Sequence, residues 1–348
     1  MNAWQARRRN NPVSRTAHRP ERRALLTLLV GLALLVTLSL WALCLGRLTI
    51  PLSQVLAALT GAPSNAIGQV VLAWRLPRVV IALMCGASLA LAGALFQSLL
   101  RNPLGSPDVI GFDTGAWSGV LIAIIVCHST TAGVTVGALL GGGITTLAIM
   151  LLSWRRHCPL SPMVLITVGI GVRALLIALN SAMIMQASLD AALSAGLWGA
   201  GSLAGLGWST IVIPGTVMAL AALMVCILSR RLRMLALGDD TARGLGVPVG
   251  ATRLLLMMVG VALVAASTAL VGPIAFVALV APHMMRRLSP GPAWRLPLAA
   301  LGGALLLLSA DMAAQHLFLP YQLPVGALTA SLGGLYLLVL LLREVRLS

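Results

Sequence analysis

ALLTLLVGLALLVTLSLWALCL, residues 24–45, carries no charge over 22 positions and follows a tail rich in arginine. As a helix it reaches about 30 Å, the thickness of a bilayer's hydrocarbon core. It is too long for the apolar part of a secretory signal, and no small-residue cleavage pattern follows it. It therefore reads as a first membrane span that stays in the protein. The same signature recurs along the chain, where 59% of the 348 residues are hydrophobic and 9% charged. Soluble domains rarely have that balance. The fold class is thus an all-α polytopic membrane protein.

Apolar runs and turn signals mark ten candidate transmembrane helices, at 24–45, 79–100, 109–127, 132–153, 163–186, 209–229, 252–272, 274–288, 297–317 and 325–342. Gly272 and Pro273 interrupt one continuous apolar stretch, so the boundary between the seventh and eighth spans is the least sharply marked. An even number of spans puts both termini on one side. With the N-terminus in the cytoplasm, 20 of the 24 arginines fall in cytoplasmic segments, Arg47, Arg75 and Arg78 fall outside, and Arg173 lies within a span. Positive-inside orientation demands that bias. Residues 1–23 then form an arginine-rich cytoplasmic tail and 24–348 the spanning domain, with 230–253 as its longest cytoplasmic loop.

Spans 2–5 and 7–10 run in opposite senses, the arrangement of an inverted repeat. Small residues such as Gly86, Ala90 and Gly93, or Gly137, Gly141 and Gly142, allow helices to approach closely in lipid. The formal charge of +16 sits in short tracts between apolar runs, so it reports topology and no nucleic-acid partner is expected. Five cysteines fall singly, and neither they nor His283 and His316 have ligand-spaced neighbours, so no metal site is expected.

Several polar segments stand out against this apolar background. In RNPLGSPD, 101–108, between spans 2 and 3, Pro103 and Pro107 remove backbone donors, Gly105 permits a sharp bend and Asp108 can cap span 3. By local physics this is a stiff turn. In RRLRMLALGDDTARGLGVPVGATR, 230–253, Gly238 breaks a helix, Asp239 or Asp240 can cap a new one, and Gly246 with Pro248 stops it. Such a segment either presents a docking surface on the cytoplasmic face or forms a solvated helical hairpin. Arg75 and Arg78, in WRLPRVV, are either snorkelling anchors at the outer end of span 2 or a basic contact for an acidic protein or anionic cargo. Arg173, inside span 5, costs at least about 2.5 kcal/mol unless a polar group meets it. Asn180 and Asp311 are the candidates, and both a structural role and a role in cargo passage fit. Asp311 can also end span 9 near the outer surface.

The chain contains no lysine, so it cannot contain the phosphate-binding pattern GxxxxGK[ST] and does not hydrolyse ATP itself. The spans offer only Asp311 and Asp113 as acids, few for a proton-coupled carrier, which stays the reading from another class. Neither an HExxH pattern nor a paired-carboxylate site suggests a membrane-embedded enzyme. A nucleotide-hydrolysing partner docked on 230–253 would supply the missing energy.

WRLPRVVIALMCGASLALAGALFQSLLRNPLGSPDVIGFDTGA, LGDDTARGLGV, GPIAFVALVAPHMMRRL and LPVGALTASLGGLYLLVLLLRE resemble the FecCD type of ABC importer permeases, which bring iron-siderophore complexes, haem or cobalamin across the inner membrane. Within that family NPLGSPDVIGFDTGAWSGV, GIGVRA, AGLWGAGSL, LGDDTA and PYQLPVG look most like ferric enterobactin permeases. The resemblance implies a type II importer in the bacterial inner membrane, with both termini cytoplasmic. Its parts are two ten-span permease subunits, a cytoplasmic ATPase dimer that uses ATP and Mg, and a periplasmic siderophore-binding protein that delivers a ferric siderophore. This chain itself binds no cofactor, and its partner permease is a paralogue rather than a copy. Gly238, Asp239, Asp240, Thr241, Ala242, Arg243, Leu245 and Gly246 correspond to the helix that couples to the ATPase, and Arg75 and Arg78 to arginines that face glutamates of the binding protein. A third docking arginine of some members is replaced by Gln315. Asn102, Pro103 and Leu104 would form a cytoplasmic gate together with Leu160 and Ser161.

Overall fold

Helix α1 runs from Pro12 to Cys44, starting well before the apolar run. In this computed structural model the described residues are 12–46, 48–61, 66–103, 105–129, 131–153, 162–289, 295–317 and 322–345. Residues 1–11, and with them half of the basic tail, lie outside them. After α2 (Leu52–Leu59), α3 (Ala66–Gln69) passes through a π-helical segment, Val70–Arg75, into α4 (Leu76–Leu99) without a break. A short α5 (Pro107–Ile110) leads into α6 (Phe112–Leu121), which ends in a second π segment, Ile122–Val126. There follow α7 (Thr131–Ser153), α8 (Pro162–Gln186), α9 (Leu189–Gly199) and α10 (Trp208–Leu235). The chain closes with α11 (Asp239–Gly244), α12 (Val249–Val271), α13 (Val277–Leu288), α14 (Arg295–His316) and α15 (Val325–Val345).

Each of the ten expected spans is helical, but among the described residues 7 helices are long and apolar enough to cross a membrane. The third and tenth correspond to shorter apolar helices, Phe112–Val126 and Val325–Val339. The eighth, α13, has 12 residues, which at about 1.5 Å per residue gives about 18 Å, well short of a full crossing. Its start is set by Phe276, whose left-handed backbone (φ 69) forbids continuation from Gly272 and Pro273. Hydropathy also did not mark α9. Its Trp198 stacks on Trp117 of α6 at 5.4 Å, and the loop after it ties two helix ends together: Ser202 N–H donates to Val271 O and Gly326 N–H to Gly201 O.

The core centres on α4, which packs against α14, α12 and α13. Ile81, Leu89, Leu95 and Phe96 are fully or almost fully buried there. The small residues flagged above make this closeness possible. A Cβ at Gly86 would collide with the carbonyl of Gly303, and one at Gly93 with the carbonyl of Ala278. The outward faces of α1, α8, α10 and α15 stay apolar, with Leu26, Leu175, Leu220 and Leu335 exposed, as lipid-facing helices require.

Helix α4 contacts α13 and α14, α12 contacts α6 and α7, and α4 and α12 contact each other. Exchanging the block α4, α6, α7, α8 with α12, α13, α14, α15 maps these contacts onto one another, the correspondence an inverted repeat produces. Helices α6 and α13, equivalent under that exchange, both start from a left-handed residue, Gly111 (φ 90) and Phe276.

Candidate functional site

At the start of α4, Pro77 in the first turn leaves no donor to satisfy and fixes the path between Arg75 and Arg78. The Arg75 guanidinium folds back onto α1's C-terminal carbonyls, donating to Leu43 O at 2.7 Å and Cys44 O at 3.0 Å, and also to Leu48 O. Arg78 grips Asp311 of α14 with two parallel bonds, Nε to Oδ2 at 2.9 Å and Nη2 to Oδ1 at 2.8 Å. Gln315, one turn further along, donates to the same carboxylate at 2.8 Å. Such a fork-to-carboxylate pair is the geometry arginine is built for. Asp311 is 3% exposed and Arg78 21%, so the pair sits just under the surface.

This arrangement overturns Asp311 as a counter-charge for Arg173. On α8, Arg173 packs its Cβ against Gly111, where no larger residue fits, and its charge acts on Asp108 and Asp113. Asn180 does not pair with it either. That side chain is buried, and neither its Oδ1 nor its Nδ2 has a partner among the described residues. The cap of α5 is Ser106, whose hydroxyl accepts from Asp108 N–H, so Asp108 is not the cap. Beyond Phe276, a cavity of about 410 Å³ between α13, α14 and α15 is lined by Val280, Met284, Ala313, Leu332 and Tyr336.

Near the far end of α4, α10 passes through Gly238 (φ 113) into α11, and Gly246 (φ 80) ends it. Ala242 is fully buried, with Val247 N–H bonded back to its carbonyl at 3.0 Å, while Thr241, Arg243, Leu245 and Gly246 are exposed. The short helix therefore offers one face outward and anchors the other on the ends of α10 and α12. Arg243 and Asp240 pair on the exposed face at 2.9 Å. Asp239 points the other way, accepting from Arg101 of the turn after α4 at 2.6 Å and from Arg253 of α12 at 3.1 Å. Nearby, buried Gln97 donates to Leu279 O at 3.1 Å and accepts from Arg286, binding α4 to α13. Asn102 and Pro103 are exposed in that same turn. Leu104, Leu160 and Ser161 lie outside the described residues.

The sequence places Asp239 and Arg253 in the loop 230–253 and Arg101 in the turn 101–108, without joining them. Their only signal was a pair of acids, Asp239 and Asp240, among arginines in loops assigned to the same side.

The FecCD transport family profile matches residues 32–343. The ferric enterobactin transport system permease protein FepG of Escherichia coli K12 is 52% identical over 93% of this chain and 98% of its own length. The hemin transport system permease protein HmuU of Yersinia pestis is 35% identical over 90% of this chain and 94% of its own. A solved structure described as an inward-facing conformation of a metal-chelate type ABC transporter superposes with a TM-score of 0.80 at 30% identity, covering 91% of this chain and 98% of that one. The architecture is that of a type II ABC importer permease. With this fold and these similarities over nearly its whole length, the chain belongs to the FecCD transport family.

Proposed function

We propose that this chain is the inner-membrane permease subunit of an ATP-driven importer that carries a ferric siderophore, ferric enterobactin or a related catecholate, from periplasm to cytoplasm. The observation that carries this reading is the 52% identity to the enterobactin permease over 93% of the chain, against 35% to the hemin permease. The chain has no phosphate-binding lysine, so hydrolysis falls to a partner ATPase dimer. The exposed face of α11, from Asp240 to Gly246, is where that partner would dock. Closure of the ATPase dimer on ATP shifts the population between outward- and inward-open arrangements. Asn102, Pro103 and Leu104, with Leu160 and Ser161, narrow the cytoplasmic exit. Arg75 and Arg78 lie at the outer mouth, where positive potential draws an anionic ferric catecholate and an acidic binding protein. The second permease subunit is a paralogue, and both termini are cytoplasmic.

The test is uptake into vesicles holding the complex that co-purifies with this chain, with ATP inside and binding protein outside. Labelled ferric catecholates, ferric hydroxamates, haem and cobalamin are offered separately. Catecholate uptake that needs ATP is the expected result. Preference for another cargo would move the chain elsewhere within its family, and uptake that ignores ATP but collapses with an uncoupler would replace the importer by a proton-coupled carrier.

A further inference from the structure

Asp239 is the first residue of α11, and its carboxylate is turned away from the face on which a cytoplasmic partner would sit. It is shared by two arginines from different parts of the chain. Arg101, 55% exposed, belongs to the turn that leaves α4 towards Asn102 and Pro103, and Arg253, 14% exposed, belongs to the first turns of α12. The turn holding Arg101 is not relaxed. Arg101 itself has a left-handed backbone (φ 50), a conformation that a side-chain-bearing residue holds only where its surroundings fix it. The backbone supplies part of that fixing, through Asn102 N–H to Gln97 O and Gly105 N–H to Asn102 O. Arg101 N–H adds a bond to Ser98 O at 3.4 Å, and its guanidinium ties the turn to Asp239 at 2.6 Å. Helix α11 itself packs on the ends of α10 and α12, so this side-chain bridge joins it directly to the turn.

We propose that Arg101, Asp239 and Arg253 form a strut that transmits displacement of α11 to the turn at Arg101, Asn102 and Pro103, making Asp239 a positioning residue for opening the cytoplasmic exit. This rests on the importer reading above and adds to it a specific route. A push on the exposed face of α11 moves Asp239, and Asp239 pulls Arg101, whose strained backbone gives the turn a second arrangement to relax into. Arg253 keeps the carboxylate aligned with α12 while this happens. Asp240 and Arg243, paired with each other on the outer face, take no part.

The experiment uses the complex that co-purifies with the full chain, reconstituted in vesicles, and measures cargo imported per ATP hydrolysed. Asp239→Asn and Arg101→Gln should both keep the ATPase bound and hydrolysing. The ratio should fall about two- to five-fold in each, the factor that loss of a part-exposed ion pair corresponds to. Asp239→Glu, which keeps the carboxylate, should restore most of the ratio. The double variant Arg101→Gln/Asp239→Asn should be no worse than either single one, since both cut the same link. Unchanged ratios in the single variants, or deficits that add in the double one, would overturn the strut. So would loss of the ATPase from both, because Asp239 would then belong to the docking surface. Arg101 is more than half exposed, so its variant stays informative even if Asp239→Asn does not fold. If the unaltered chain brought down no ATPase and imported nothing with ATP, the importer reading would fail first, and separately.

Discussion

Arg78 and Asp311 show how a charge survives in a chain this apolar. Their two parallel bonds and the third from Gln315 give Oδ2 two donors and Oδ1 one, so neither oxygen of the buried carboxylate lacks a donor. Removing only the acid strands the guanidinium. Asp311→Ala should therefore lower stability by roughly 2–3 kcal/mol, less than a fully buried pair would because Arg78 keeps some water. Thermal unfolding of purified protein in detergent reads this as a lower Tm. Replacing both partners by apolar residues, Arg78→Met with Asp311→Leu, should recover part of the loss, since no charge is then stranded. A single variant as stable as the parent would mean the pair contributes nothing to the fold. The contrast with Arg173 is one of neighbourhood: its charge acts on Asp108 of α5 and Asp113 of α6, whereas Asp311 lies on a helix that faces α4.

Helix contacts in lipid depend on how near two backbones come, and α4 with α14 is the clearest instance. Gly303→Val would place a branched side chain against the carbonyl of Gly86 and the Cβ of Ala90, an overpacking of about 3 kcal/mol or more where backbone must yield. Gly334→Val, on α15, meets open space. The first should reduce the folded, monodisperse fraction on size-exclusion chromatography sharply and the second hardly at all; similar profiles would show that the interface tolerates separation. The small residues behind this contact were legible in the sequence, as were the long helices, because apolar length and glycine spacing are local properties. Other elements were not. Nothing in a hydropathy scan reveals that Phe276 turns left-handed and shortens α13, for that depends on what it packs against. Helix α9 owes its place to Trp117 and the ends of α12 and α15. The alliance of Arg101 with Asp239 spans 138 positions, so no local pattern contains it. The cap of α5 fell to Ser106, whose hydroxyl accepts from Asp108 N–H.

For the whole chain, the arginine distribution assigns sides, and the fold offers exposed positions to test them. In a cysteine-free background, Thr241→Cys on α11 should react with a membrane-impermeant maleimide only in inverted vesicles, and Asp190→Cys at the start of α9 only in intact spheroplasts. Labelling of Thr241→Cys from the periplasm would invert the topology and remove any cytoplasmic ATPase from that loop. The interlocking of α4 with α14 has one more consequence. Their backbones touch partway along α4, Arg78 and Asp311 fasten them at its start, and Gln97 fastens α4 to the neighbouring α13 near its other end. Three helices clamped at such heights behave as a keel: the hull can roll about it, but the keel itself does not bend. Alternating access must then be sought where helices meet through side chains alone, and crosslinks within the keel should leave transport running while crosslinks across its flanks arrest it.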